Sequence, residues 1–259
     1  DGRVHGKVIT NGAITSRMSH SSPNMAQVPA VYSPYGKDCR ELWVVPSGYK
    51  LVGVDASGLE LRILSHYMND KEYINEVING DIHSTNQTLA GLETRDIAKT
   101  FIYAFIYGAG NKKLGTICGR SESYGRTIKD RFLKRLPSLA KLRTRVDKAV
   151  KKGYLKGLDQ RKLIIRQKHS ALNTLIQGGG AIAMKKALVI LSNYILTYKI
   201  DAIPVVNVHD EFQYQVKEEQ ADRFGILAVK SIVDAGDQLG LRCSLNGEYK
   251  IGNNWKETH

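Results

Sequence analysis

A chain of 259 residues, 42% of them hydrophobic, is long enough to bury a substantial core in one or two domains. Its formal charge of +13, from 38 basic and 25 acidic residues, fits a polyanionic partner, a membrane surface or plain solubility, while no uninterrupted apolar run approaches the ~18 residues of a membrane span. Three cysteines, Cys39, Cys118 and Cys243, are odd in number and far apart; with no CxxC pair they exclude a disulfide framework and a zinc ribbon, and read as free thiols in a reducing compartment.

The opening DGRVHGK is polar and basic, unlike a signal peptide, and without an initiator Met Asp1 need not be the natural start. The first ~35 residues are rich in Gly, Ser, Asn and Pro and predict strands joined by turns. YKLVGV, Tyr49 to Val54, predicts a short buried strand ending at Asp55. Leu61, Leu64 and Met68 have helical spacing. Thr94 can cap a long helix through RDIAKTFIYAFIYG, which Gly108 and Gly110 end. SESYGRTIKDRFLKRL and PSLAKLRTRVDKAVKK predict amphipathic basic helices, and KGLDQRKLII a turn and hairpin. HSALNTLIQ begins another long helix. A strand pair follows, with Val205, Val206 and Val208 in a buried first strand and Phe212, Tyr214 and Val216 alternating with polar residues in the second. A helix around Arg223 to Leu239 and a strand near Cys243 to Lys250 close an α+β pattern, the helical block inserted into a sheet domain.

Between the paired strands lie His209, Asp210 and Glu211. If the strand ending at Asp55 neighbours this hairpin, two carboxylates converge, and without a cation at least one pKa must rise. A pair of magnesium ions would remove the conflict, since hard cations favour carboxylates, water and phosphates. An ordinary solvated acidic turn is the other reading.

In TRDIAKTFIYAFIYGAG the residues Arg95, Lys99, Tyr103 and Tyr107 recur every four positions, on one helical face. A guanidinium, an ammonium and two aromatic rings make a ladder suited to a nucleotide from triphosphate to base. The interleaved Ile97, Phe101, Ile102, Phe105 and Ile106 equally fit a core helix. GAGNKKLG lacks the GK[ST] ending of a phosphate loop and follows a helix, so its glycines read as a helix stop.

DASGLELR (Asp55 to Arg62), RDIAKTFIYAFIYGAG (Arg95 to Gly110) and VHDE (Val208 to Glu211) together resemble the three ordered motifs of family A DNA polymerases, most closely the T7-type bacteriophage branch. The opening DGRVHGKVITNGAITSRMSHSSPNMAQVP, the stretch HSALNTLIQGGGA and the ending GNNWKETH extend the resemblance over nearly the whole chain. It implies a polymerase palm, an antiparallel sheet with helices, at 1–65 and 166–259, and an inserted, mainly helical fingers subdomain at 66–165. The family's upstream thumb and exonuclease domains have no counterpart here. The implied activity is template-directed DNA synthesis, with two Mg²⁺ ions held by Asp55, Asp210 and the Ala56 carbonyl, and with Glu211 assisting. Arg95, Lys99 and His83 would hold the triphosphate, and Lys99 would donate a proton to pyrophosphate. Glu60 and Tyr107 would crowd the sugar 2′ position, and Tyr103 would admit dideoxynucleotides. Arg17, Gln27, Asn173, Gln177 and His209 would touch the primer-template duplex. The implied setting is the cytoplasm of a bacteriophage's host, with a missing thumb or processivity partner, and no membrane. The alternative is a nucleic-acid-binding palm and fingers fragment with little activity until a thumb or partner chain is supplied.

Overall fold

The computed structural model describes residues 2–259. The chain divides into two compact units, one formed by Asp1–Leu59 with Gly180–His259, the other by Glu60–Gly179. The boundaries read from the sequence, 65/66 and 165/166, differ from these because helices, not linkers, carry the chain from one unit to the other.

The first unit opens with an antiparallel pair, β1 (Lys7–Ile9) and β2 (Ser19–Ser21). A short helix α1 (Gly36–Glu41) leads to β3 (Tyr49–Ala56), whose Leu51, Val52 and Val54 are buried. Helix α2 (Leu59–Met68) crosses into the second unit.

The second unit continues with α3 (Lys71–Asn79), α4 (Ile82–Ala90), α5 (Arg95–Ile106), α6 (Asn111–Ile117), α7 (Glu122–Arg135) and α8 (Pro137–Val150). Asp70, Asp81, Thr94 and Ser121 cap four of these, each side chain accepting a backbone N–H of the first turn. The buried face of α5 packs on α7 through Phe132, whose ring meets Phe101 edge-on at 5.4 Å and Phe105 at 5.7 Å. A small hairpin, β4 (Tyr154–Lys156) with β5 (Lys162–Ile164), follows as expected. Nearly all of the net positive charge lies in this unit.

Helix α9 (Ala171–Thr197) returns the chain to the first unit. With the preceding turn it is long and apolar enough, by length and composition, to cross a membrane, a feature hidden in the sequence by Lys185 and Lys186; 67% of its apolar window is buried in the fold, as in a core helix. Gly179 permits close packing, because a Cβ there would stand 2.7 Å from Ile63.

The hairpin β6 (Ala202–Val208) and β7 (Glu211–Lys217), helix α10 (Ala221–Gln238) and β8 (Gly247–Gly252) complete the first unit. The four-stranded sheet has the order β6-β7-β3-β8, antiparallel throughout. Two strand readings need correction. β6 is an edge strand with Ile203 46% and Val205 43% exposed, not a buried one; Pro204, lacking an N–H, and the irregularity beside it suit an edge. β7 is buried on both faces, Gln213 and Gln215 included, because each polar side chain finds a partner: Gln213 with Glu211 and Thr258, Gln215 with Arg3.

Candidate active site

In the first unit, β3 and β7 pair so that Asp55 lies opposite Glu211. Only His209 and Asp210 separate β6 from β7, and His209 takes a left-handed φ of 58° to close that two-residue turn. The Ala56 N–H donates to the Asp210 carbonyl at 3.0 Å, tying the turn to the end of β3. The two aspartates therefore share one end of the sheet.

Their electrostatics are strained. Asp55 reaches solvent at the strand end, yet its pKa is pushed up to about 7, first by partial burial, then by the negative charges of Asp210 and Glu211, with His259 opposing. His209 is held below its ordinary value by burial and by Arg17, against Asp210. Arg17 and His209 line one small cleft with Asn207. Gln27 is exposed at the end of a 3-10 turn, Met25–Gln27, that packs on β6.

The expected role of Glu211 meets a different environment. Its carboxylate is buried, with Oε1 accepting from Trp255 Nε1 and Gln213 Nε2, both at 2.6 Å, and Oε2 facing His259 Nδ1 at 3.2 Å. Burial pushes its pKa up, but these donors outweigh burial and hold it below the usual carboxylate value.

Among the described residues no three His, Cys, Asp or Glu gather as a ready metal cluster. What exists is an oxygen-only pair with Ala56 as the last residue of β3. That donor set and the raised pKa fit a hard divalent cation whose remaining positions are filled by water and phosphate.

In the second unit, α5 turns its apolar side inward and leaves Arg95 and Lys99 exposed, Tyr103 half-buried and Tyr107 47% exposed. Arg95 grips Asp81 with two bonds, Nε to Oδ2 at 2.7 Å and Nη2 to Oδ1 at 3.1 Å. This pairing holds the Asp81 carboxyl well below the usual range. Asp81 also accepts from the His83 N–H and the Ser84 hydroxyl at the start of α4. His83 is held below its ordinary value by burial, then by Arg95 and Lys99. Its ring stands 6.3 Å from Tyr103, which stands 6.5 Å from Tyr107. The Tyr107 hydroxyl donates to Glu60 Oε2 at 2.8 Å. Asn173 and Gln177 lie one turn apart on α9, both half-buried, the Asn173 Oδ1 without a partner among the described residues. A cavity of about 380 Å³ in the same unit is lined by Phe105, Gly108, Lys129, Arg143, Lys168 and His169.

The profile of DNA polymerase family A matches residues 1–257. The chain belongs to DNA polymerase family A. The DNA-directed DNA polymerases of Enterobacteria phage T3 and Escherichia phage T7 are each 38% identical to it over its whole length, which covers 42% of either. DNA polymerase I of Pseudomonas aeruginosa is 28% identical, again over the whole chain, which covers 30% of that protein. The POL domain of Pol1 from M. smegmatis, in complex with DNA primer-template and dNTP, superposes with a TM-score of 0.89 at 25% identity; 99% of this chain and 49% of that one are covered. The chain thus spans less than half the length of these family members, and its α+β fold is that of the family.

Sequence reading named most of these side chains but missed Asp81, Arg40, Gln213, Trp255 and His259. Asp81 carried a signal, an acidic cap just before a helix that also bears His83. Gln213 read as the open side of an alternating strand, and Arg40, Trp255 and His259 carried no signal, since their partner Glu211 is far away in the chain.

Proposed function

We propose that this chain is the palm and fingers portion of a DNA polymerase that adds deoxynucleotides to a primer 3′ end on a template. The observation that carries the reading is the Asp55–Asp210 pair at one sheet end, where burial first and then the charge of Asp210 raise the Asp55 pKa, within a chain of family A. Two Mg²⁺ ions, when bound, would supply acidity to the primer 3′ oxygen and neutralise charge on the departing pyrophosphate. Asp55 and Asp210, with the Ala56 carbonyl, would hold them, and ionisation of Asp55 is then favoured. Arg95 and Lys99 would supply the positive charge for the triphosphate, with the neutral His83 imidazole as a further hydrogen-bonding group, and Lys99 would give a proton to pyrophosphate. The Tyr107–Glu60 bond forms a wall suited to refusing a 2′-hydroxyl, and Tyr103 continues the same face. Arg17, Gln27, Asn173 and Gln177 would serve the primer-template, testing pair shape in the minor groove, and His209 would support the primer end. The basic cavity beside Lys129, Arg143 and Lys168 suits a phosphate backbone.

The coverage of only 42% of the phage relatives favours a second reading, a nucleic-acid-binding portion that needs a thumb or partner chain for turnover. Primer extension at low salt with Mg²⁺ and deoxynucleotides, beside Asp210→Asn, separates them. Extension that vanishes in the variant supports the first reading. DNA binding without extension by either protein supports the second.

A further inference from the structure

We propose that Arg40, Gln213, Trp255 and His259 are positioning residues for the carboxylate pair, acting through Glu211; the inference deepens the polymerase reading and rests on it. Glu211 follows Asp210 directly and lies opposite Asp55 across β3 and β7. It is 5% exposed, and a buried carboxylate is tolerated only where donors surround it. Three do so at hydrogen-bonding distance: the Trp255 indole, the Gln213 amide and His259. The Arg40 guanidinium adds its charge at 3.9 Å, lies 4.3 Å from the centre of the Trp255 ring, and is itself anchored by donation from Nε to the Pro29 carbonyl at 2.9 Å. With Oε1 accepting twice and Oε2 facing His259, Glu211 is tied to the protein on both of its oxygens.

The tie belongs to a longer seam. Gln213 Oε1 accepts from the Thr258 hydroxyl at 2.9 Å. Residue 53 must be glycine for this to form, because a Cβ there would lie 2.4 Å from both Gln213 Nε2 and the Thr258 carbonyl. The Trp255 N–H donates to the Trp43 carbonyl, Val44 bridges Asn254, and Lys256 pairs with Glu41 at 3.0 Å. Residues 254–259 are therefore fastened on one side to the segment after α1 and on the other to β7, one residue beyond Asp210. A backbone fixed there sets the direction in which Asp210 leaves its turn, and a small misplacement of a reacting group carries a large rate penalty.

The test uses the 259-residue chain with Trp255→Phe, which keeps an aromatic ring, though a smaller one, and removes the donor, Glu211→Gln, and the double variant. His259→Gln, at the outer edge of the seam, supplies a variant that leaves the core packing intact. The expected result is a loss of about tenfold or more in kcat with dNTP KM changed less than about twofold, and a double variant no worse than the worse single one. Slow exchange of the Trp255 indole N–H should become fast in Glu211→Gln. Mn²⁺ binding by water-proton relaxation, without nucleic acid, should weaken several-fold in Trp255→Phe. This arm decides the inference even where the wild-type chain extends no primer, so failure of the polymerase reading is seen separately. Wild-type kcat and Mn²⁺ affinity in Trp255→Phe and His259→Gln, with both lost in Glu211→Gln, would overturn it and make Glu211 a direct participant. Strictly additive losses in kcat would overturn it too.

Discussion

Replacing Asp55 by Asn should stabilise the metal-free protein at alkaline pH. The Asp55 pKa is raised from an ordinary 3.8 to about 7. A folded state that holds a proton more tightly than the unfolded chain is favoured while the pH stays low; that advantage disappears as pH rises through the interval up to about 7, where the folded carboxyl ionises. At about 1.4 kcal/mol per pH unit the full displacement would be worth roughly 4 kcal/mol. The carboxylate reaches solvent, which screens its neighbours, so about 1–2 kcal/mol is the expected size. Urea unfolding with EDTA, at pH 4 and pH 8, measures it. The wild type should lose about that much stability relative to Asp55→Asn between the two pH values. Millimolar Mg²⁺ at pH 8 should restore the wild type and leave the variant unmoved, since a ligand that binds only the folded state stabilises it. A wild type that gains on the variant as pH rises, or ignores Mg²⁺, would refute the reasoning.

Asp81→Asn should release Arg95 from its two-bond grip and raise dNTP KM several-fold with a smaller change in kcat, which steady-state primer extension reads. Phe132→Ala removes the ring between Phe101 and Phe105 and should cost about 3–5 kcal/mol, visible in denaturant unfolding. Tyr103→Phe should restore discrimination against dideoxynucleotides, scored by chain termination in competition with normal nucleotides; equal discrimination by both proteins would count against the assignment.

The sequence made local features readable because they are set by local physics. Thr94 caps α5 where expected, and the alternation of apolar and cationic positions along that helix survives as a buried and an open face. Neighbouring of β3 and β7 was only a condition in the sequence, yet it holds, and the aspartates meet. What stayed hidden depends on distant partners. Glu211, Gln213 and Gln215 looked like the wet side of a strand, and only donors from residues 3, 40, 255, 258 and 259 make their burial tolerable. The valines of β6 looked buried, because nothing in a strand's own sequence says that no further strand lies beyond it. Helices α3 and α4 are short: α3 shows Tyr73, Ile74, Val77 and Ile78 at helical spacing, α4 is masked by a polar run after Ile82, and a capping aspartate before each was the signal common to both.

The sheet order also governs how the chain is made. β3 emerges from a ribosome before any of Glu60–Gly179, and its central partner β7 follows only after more than half of the chain has been added. At about 5–20 residues per second that wait is on the order of ten seconds or more. Throughout it, Leu51, Val52 and Val54 have no strand to cover them, while the contiguous second unit can close on its own residues. The acidic centre is therefore completed only after the whole of Glu60–Gly179 has been made. Nascent chains interrupted before β7 expose a sticky strand and carry no paired aspartates, so a truncated product can burden a cell's chaperones without ever holding the carboxylate pair.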